Sequence, residues 1–192
     1  MADSMLRGIK IGRKEDTDLI ARGGAKVRDI TAAVYYDSST GRRSRIQVGG
    51  YKVVMIHVGT NDLADGRSRA EISMDVKELI DVVRSQNHDA VIVVSGILYR
   101  PVDDNSSYGK VNATNLDIAK VCLRFHGVLF LRTHALVKCG SMLLTQLYDE
   151  GGLHLNRRGL DRVGNYFRGH LTKGSLCRDF VLADRPIPRV LR

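Results

Sequence analysis

Cysteine is scarce in this sequence, and long apolar runs are absent from it. The three cysteines among 192 residues are widely spaced, at Cys122, Cys139 and Cys177. Such a set forms neither a disulfide framework nor a zinc site, and it favours a reducing compartment. No apolar run approaches the roughly 18 residues of a membrane-spanning helix, and the first seven residues lack the apolar region of a secretory signal. The sequence therefore predicts an intracellular (cytoplasmic) rather than a secreted protein, without a transmembrane segment.

The composition is that of an ordinary folded domain. Hydrophobic residues make up 43% and charged residues 27% of the chain, which argues against disorder and against a fibrous protein. The length of 192 residues fits one domain and a tail. We expect the domain to span residues 1–171, and the tail to span residues 172–192, which hold two of the three prolines.

Positive charge is concentrated at the C-terminal end. The chain carries a net charge of +9, and residues 155–192, with nine basic and three acidic side chains, contribute +6 of it. Such a segment can attract the phosphate backbone of a nucleic acid or an anionic membrane surface. Because no aromatic-rich motif accompanies it, the pattern favours a solvated helix face and a basic tail, with weak polyanion binding as the alternative.

Three apolar segments rich in β-branched residues predict buried strands: residues 52–58, 90–97 and 127–132. Their apolar character is continuous rather than alternating, which is typical of strands covered on both faces of a parallel sheet. We therefore expect them to be parallel neighbours in one sheet. Residues 18–21 are a weaker strand candidate.

Helical patterns alternate with these strands. Ser68 is a plausible N-cap for a first helix, and residues 112–125 and 156–171 predict two more. Alternation of strands and helices predicts a three-layer α/β/α sandwich with a mainly parallel sheet. In such folds the chemistry sits in loops at the carboxyl ends of the strands. The first helix has one apolar stripe, formed by Ile72, Val76, Leu79, Ile80 and Val83.

Three loops carry the side chains of an acyl-transfer site. They contain Asp3-Ser4, Gly59-Thr60-Asn61-Asp62 directly after the best strand, and Gly152-Leu153-His154-Leu155-Asn156 before the last helix. In acyl transfer a serine attacks the carbonyl carbon, a histidine takes and returns the proton, and an asparagine N–H helps hold the oxyanion. Asp62 is expected to brace its own loop.

Four segments resemble the sequence blocks of the SGNH, or GDSL, hydrolases, in the order of that family. They are Ala2-Asp3-Ser4-Met5-Leu6-Arg7-Gly8, the turn that contains Gly24, Gly59-Thr60-Asn61-Asp62, and Gly152-Leu153-His154-Leu155-Asn156. The blocks cover residues 2–159, most of the chain. The stretches HVGTNDL and GLHLNRRGL are most similar to the SGNH-like domains in first-reading-frame proteins of LINE-type retrotransposons.

The resemblance implies a flavodoxin-like three-layer fold and hydrolysis of small acyl or acetyl esters, with no metal and no cofactor. It implies that Ser4 is the nucleophile and that His154 is the general base. It also implies an oxyanion site made of the Ser4 and Gly24 backbone N–H groups and the Asn61 side chain.

The acidic partner of His154 is left open by the resemblance. The family has an aspartate three residues before the histidine, and Gly151 stands there in this sequence. Either the aspartate is lost and the site is a Ser–His dyad, or a two-residue insertion makes Asp149 its equivalent. Glu150 is a further candidate.

A second departure lies at the N-terminus. The family's first, central strand precedes the serine block, and here only Met1 and Ala2 precede Asp3. Either the sequence is an N-terminally truncated piece, or the sheet lacks a central strand and Ser4 lies on a mobile end.

The sequence supports three functional hypotheses. The leading one is a serine esterase of SGNH type. The first alternative is a degenerate SGNH domain that binds its ligand without turnover. The second is a nucleic-acid-associated protein of retroelement type that binds through residues 155–192.

Overall fold

The computed structural model of the chain describes residues 1–2, 4–6, 8–10, 17–35, 46–103 and 105–172, with their side chains except at positions 4, 105, 106, 171 and 172. Asp3 and the predicted tail from residue 173 onward lie outside the described residues. Among the described residues, no helix combines the length and the apolar character needed to span a membrane.

A parallel sheet forms the centre of the fold. Its strands are β1 (Val53–Ile56), β2 (Val91–Ser95) and β3 (Val128–Leu131), in the spatial order β1-β2-β3. β1 pairs in parallel with β2, and β2 pairs in parallel with β3. The prediction of three parallel neighbours is confirmed. The side chains of Ile56 and Ile92 are fully buried, as expected for a sheet covered by helices.

Helices follow the strands in alternation, so that helices and sheet together form the predicted three-layer α/β/α fold. A small antiparallel pair, β4 (Lys138–Cys139) with β5 (Met142–Leu143), follows β3. The α-helices of the described residues are α1 (Val27–Val34), α2 (Thr60–Ala64), α3 (Arg69–Gln86), α4 (Asn105–Cys122) and α5 (Arg157–Thr172).

The start and the buried face of α3 agree with the prediction. The Ser68 hydroxyl accepts the Glu71 N–H at 3.3 Å, and the Glu71 carboxylate accepts the Ser68 N–H at 2.9 Å. This reciprocal cap satisfies two N–H groups that a helix start otherwise leaves unpaired. The five residues of the predicted apolar stripe are all fully buried.

The ends of α4 differ from the prediction, whereas those of α5 agree to within one residue. α4 begins at Asn105 instead of residue 112 and ends at Cys122 instead of residue 125. Tertiary packing explains the added turns, because the Tyr108 ring lies edge-on to the Tyr99 ring with centroids 5.3 Å apart. α5 is capped by Asn156, whose Oδ1 accepts an N–H from the first turn.

Met1 and Ala2 lie beside the end of β1. Ala2 forms isolated parallel bridges with both Ala21 and His57, and the His57 N–H donates to the Met1 carbonyl at 2.8 Å. Among the described residues, this double bridge stands where the resemblance implied a central strand. The prediction of a strand over residues 18–21 is wrong, because within the described residues only Ala21 of this segment forms a bridge, to Ala2.

Candidate active site

Three segments leave the sheet on the same side. Ala2 is paired in parallel with both Ala21 and His57, so the chain runs in one direction at all three positions. The residues that follow each of them therefore emerge at the carboxyl edge of the sheet. Within two to four residues of this double bridge, the chain reaches three predicted site residues: Ser4, Gly24 and Asn61.

Ser4 begins a 3₁₀ turn that ends at Leu6. The next two side chains, Met5 and Leu6, are buried in the core and fix the direction of the turn. The side chain of Ser4 lies outside the described part of the structure. The contact between the Ser4 hydroxyl and the His154 imidazole therefore stays a prediction.

Asn61 is the second residue of the short helix α2. The residue before this helix, Gly59, has to be a glycine in this fold. Gly59 has φ +115°, and a Cβ atom added there would lie 2.7 Å from the Cδ1 atom of Ile97. The Asn61 Nδ2 atom donates to the carbonyl of Ala25 at 2.9 Å. A carboxamide has two N–H donors, and the second has no acceptor among the described residues.

The Asn61 bond places the side chain against the turn that contains Gly24. This turn is closed by the Ala25 N–H, which donates to the Arg22 carbonyl at 3.3 Å. Gly24 has φ +72°, a left-handed conformation that favours glycine. Within the described part of the chain its N–H has no acceptor. The structure thus brings together two of the three predicted oxyanion donors.

His154 lies in a loop that Asp149 closes. The Oδ1 atom of Asp149 accepts the N–H groups of Leu153 at 3.0 Å and of His154 at 3.3 Å. The other carboxylate oxygen lies 3.4 Å from His154 Nδ1. Although desolvation opposes the shift, the two backbone N–H groups and the imidazole lower the pKa of the Asp149 carboxyl below its usual range.

The His154 loop packs against the loop that follows β2. Gly152 has φ +64°, and a Cβ atom there would lie 2.8 Å from the Cβ atom of Pro101. The Gly152 carbonyl accepts the Val102 N–H at 3.3 Å. Since this neighbouring loop leaves the carboxyl end of β2, His154 lies on the same edge of the sheet as Asn61.

Of the three sequence-based alternatives for the acid, the structure brings Asp149 to the histidine. Gly151 has no side chain, and Glu150 is exposed. The Asp149 side chain is 42% exposed and the His154 side chain is 41% exposed, which leaves the imidazole accessible to a ligand. Sequence spacing left the choice open because the Asp149–Gly152 turn, closed by a 2.9 Å hydrogen bond, determines which carboxylate reaches the ring.

Sequence reasoning missed the partners of Asp62. Its carboxylate is fully buried and accepts the Val27 N–H at 3.0 Å, so it braces the start of α1 as well as its own loop. It also accepts Arg67 Nη1 at 2.8 Å, and Arg67 in turn pairs with buried Asp75. Asp75 could have indicated this ion-pair cluster, because it is a charged residue next to Val76 on the apolar stripe of α3.

A cavity of about 510 Å³ lies beside β1 and extends to the bridged residues Ala2 and His57. Its lining includes Leu19, Tyr51, Val53 and Met55, and contains neither Asn61 nor the Asp149–His154 pair. Among the residues described, no three His, Cys, Asp or Glu side chains converge as a metal site would require.

Comparison with known proteins identifies relatives of this fold. The sequence model of the GDSL-like Lipase/Acylhydrolase family matches residues 10–162. No curated protein matches the chain.

Several solved structures are similar to this one. A putative platelet activating factor from Streptococcus pneumonia is 17% identical, with a TM-score of 0.67 over 88% of this chain and 80% of the other. The OSK domain of Drosophila Oskar is 16% identical, with a TM-score of 0.66 over 90% and 86%. A carbohydrate esterase family 3 protein from Talaromyces cellulolyticus is 17% identical, with a TM-score of 0.61 over 79% and 68%. At these identities the structural similarity establishes the fold alone.

Proposed function

Because the chain belongs to the GDSL-like lipase/acylhydrolase family, we propose that it is a serine esterase that hydrolyses small acyl or acetyl esters through Ser4 and His154. The observation that carries this proposal is the contact between Asp149 and His154, on the same sheet edge as the Gly24–Asn61 pair. A carbohydrate esterase and an acetyl esterase among the similar structures support an acetyl ester as the substrate in this proposal.

The orientation of the imidazole defines the first step of the reaction. Asp149 faces Nδ1, and the neutral ring therefore carries its proton on Nδ1 and presents Nε2 as the base. Nε2 takes the proton of the Ser4 hydroxyl while Oγ forms a bond to the carbonyl carbon of the ester. The imidazolium that results is stabilised by the Asp149 carboxylate.

The negative charge that develops on the carbonyl oxygen requires donors fixed in advance. In this proposal the Ser4 N–H, the Gly24 N–H and the second Asn61 N–H supply them. The tetrahedral intermediate collapses when the imidazolium returns its proton to the alcohol, which leaves. A water molecule, deprotonated by the same Nε2, then attacks the acyl-enzyme and releases the carboxylic acid and the Ser4 hydroxyl.

An ester assay tests this function. We expect hydrolysis of p-nitrophenyl acetate, with slower turnover of the octanoyl ester, and we expect Ser4→Ala to abolish it. Ser85→Ala is the matched control, because Ser85 is exposed on α3 and its hydroxyl bonds only to the helix carbonyl of Val82 within the described residues. Turnover that survives Ser4→Ala would exclude the serine mechanism, and a chain without turnover but with acetate binding would be the degenerate domain.

A second candidate function is polyanion binding by the basic C-terminal segment. One observation favours it: the described part of residues 155–192 presents exposed arginines on α5. Arg158 and Arg162 lie one helical turn apart, so both point to the same side of the helix. This binding is compatible with esterase activity, since α5 follows the His154 loop and contributes no proposed catalytic group.

A further inference from the structure

The start of α1 is bonded to α2 and α3 at four consecutive residues, Ala25–Arg28, here called the 25–28 segment. Two of these bonds use backbone groups, the Ala25 carbonyl and the Val27 N–H, and two use the side chains of Lys26 and Arg28. The partners, in order along the segment, are Asn61, Asp65, Asp62 and Asp75. Three of these contacts join the segment to residues 61–65, and the fourth joins it to α3.

These four contacts differ in burial. The Lys26–Asp65 and Arg28–Asp75 pairs each include an exposed basic side chain, so they contribute little to the energy of the folded state. The Asp62 carboxylate is fully buried and accepts the Val27 N–H at 3.0 Å. A buried carboxylate is costly unless it is paired and hydrogen-bonded, so breaking the Asp62–Val27 bond is unfavourable.

Arg67 supplies the pairing. Its Nη1 atom donates to Asp62 at 2.8 Å and also contacts Asp75, which Arg28 Nε contacts at 3.0 Å. The two buried carboxylates thus share two guanidinium groups, and the exposed Glu71 carboxylate lies 3.9 Å from Arg67 Nη2 at the edge of this cluster. An unneutralised carboxylate beside Asn61 would disfavour the negative charge of an oxyanion in the adjacent site.

We propose that Asp62 is a positioning residue for the oxyanion site. It directly follows Asn61 in the chain, and it binds the 25–28 segment, which directly follows Gly24. One buried side chain thereby fixes the spacing of the Gly24 N–H and the Asn61 carboxamide. The proposal rests on the proposed function, in which these two groups are oxyanion donors.

Two substitutions remove the Asp62–Val27 bond from opposite ends. Asp62→Ala deletes the acceptor. Val27→Pro deletes the donor, and its position suits proline, because Val27 is the first residue of α1 and Lys26 before it is extended, with φ −93° and ψ 170°. Misplacement of reacting groups by an ångström costs about 10²-fold in rate. We therefore expect each variant to lower kcat by about 10²-fold with little change in KM.

Asp62→Asn is the conservative counterpart. Its side-chain oxygen can still accept the Val27 N–H, although the ion pair with Arg67 is lost. We expect it to keep most of the kcat that Asp62→Ala loses. Asp81→Ala, which removes an exposed carboxylate from α3, is the matched control and should leave kcat unchanged.

The test measures kcat, KM and urea unfolding for all variants, together with hydrogen exchange of the amides of residues 24–26, and of residue 27 in the variants that keep an N–H there. Faster exchange and the kcat loss should appear together in Asp62→Ala and Val27→Pro and be absent from Asp62→Asn. The double variant should lose no more kcat than either single one, because both remove the same bond.

Three outcomes would overturn the proposal: folded single variants with wild-type kcat, Asp62→Asn as slow as Asp62→Ala, or unchanged exchange at residues 24–26 in Asp62→Ala and Val27→Pro. If Asp62→Ala fails to fold, Val27→Pro decides alone. If the wild-type chain hydrolyses no ester, the proposed function fails, whereas the exchange measurement still decides whether Asp62 holds the segment in place.

Discussion

The Nδ1 atom of His154 lies 3.4 Å from the Oδ2 atom of Asp149, five residues earlier in the same loop. The other oxygen of that carboxylate accepts the backbone N–H groups of Leu153 and His154, so the aspartate fixes both the loop and the ring. The proposed catalytic acid thus also closes the loop that carries the histidine. Its removal should therefore affect orientation as well as charge.

We predict that Asp149→Asn lowers kcat by as much as about 10⁴-fold, the effect of the corresponding change in a well-studied serine protease. Gly151→Asp should change kcat little. Its carboxylate would start from a Cβ atom only 3.8 Å from Asp149 Oδ1, so it would compete with a carboxylate already in place. Ester hydrolysis by the two variants distinguishes the alternatives. A rate increase in Gly151→Asp with no loss in Asp149→Asn would assign the acid's place to position 151.

The pKa of Asp149 adds a pH-dependent test of the same contact. Since the pKa of its carboxyl is lower in the folded protein than its usual value of 3.8, the carboxylate stabilises the fold above that value. The contribution is lost as pH falls through the lowered pKa. Asp149→Asn should therefore lose less unfolding free energy than wild type between pH 5 and pH 2, measured by urea titration. Parallel pH profiles would contradict the contact.

Asn61→Ala should lower kcat by about 10²–10³-fold, the usual effect of removing one oxyanion donor. Because the side chain also donates to Ala25, the variant should lose only about 1 kcal/mol of stability, the net value of one hydrogen bond. The matched control is Asn87→Ala, whose carboxamide binds the backbone of Val48, Tyr51 and Ala90 away from the site. Asn87→Ala should lower stability more than Asn61→Ala and leave kcat unchanged. If Asn61→Ala leaves kcat unchanged, Asn61 has no part in the mechanism.

The strands and α3 were predictable because each carries a local signal. A continuous apolar run predicts a buried parallel strand, and the Ser68 cap with an apolar stripe predicts the start and face of α3. The start of α4 was predicted too late because Asn105-Ser106-Ser107-Tyr108-Gly109 contains poor helix formers, which give no local helix signal. The contact between Tyr108 and Tyr99, which no local pattern reveals, favours the helix there.

The residues of the candidate site could be proposed from the sequence, but the contacts between them could not. The residue types and their order pointed to Ser4, Gly24, Asn61 and His154. The Asp62–Val27 bond joins residues 35 apart, and such a bond depends on how α1 and α2 pack. Similarly, Asp149 reaches His154 through the geometry of one turn.

The arginines of α5 give a prediction about charge. We expect weak binding of single-stranded RNA of any sequence, with an affinity that falls as salt rises, because phosphate contacts release counterions. The double substitution of Arg158 and Arg162 by Gln should reduce this binding and leave esterase kcat unchanged. Fluorescence anisotropy of a labelled RNA at about 50 and 200 mM salt measures the affinity. Affinity that is independent of salt, or of these two arginines, would contradict the prediction.

The last prediction concerns His134, which packs beside the carboxyl end of β2. A Cβ atom on Gly96 would lie 2.6 Å from His134 Nδ1, and the ring also lies near those of Tyr99 and Phe130. Burial, together with the charges of Arg132 and Lys138, lowers the pKa of the imidazole from 6.5 to about 4. Folding therefore keeps this histidine neutral at pH values where the unfolded chain protonates it.

The sign of the effect follows from proton binding. Between pH 6.5 and about 4 the unfolded state binds more protons at this position, so stability falls as pH falls through that window. The loss attributable to His134 should be about 3 kcal/mol over that window. His134→Gln, which cannot be protonated, should unfold with a flatter pH dependence than wild type over the same range. His88→Gln is the control, because His88 is exposed. If both variants retain the wild-type slope of unfolding free energy against pH, His134 is not protonated on unfolding, and its burial in a neutral form is excluded as the cause of acid sensitivity.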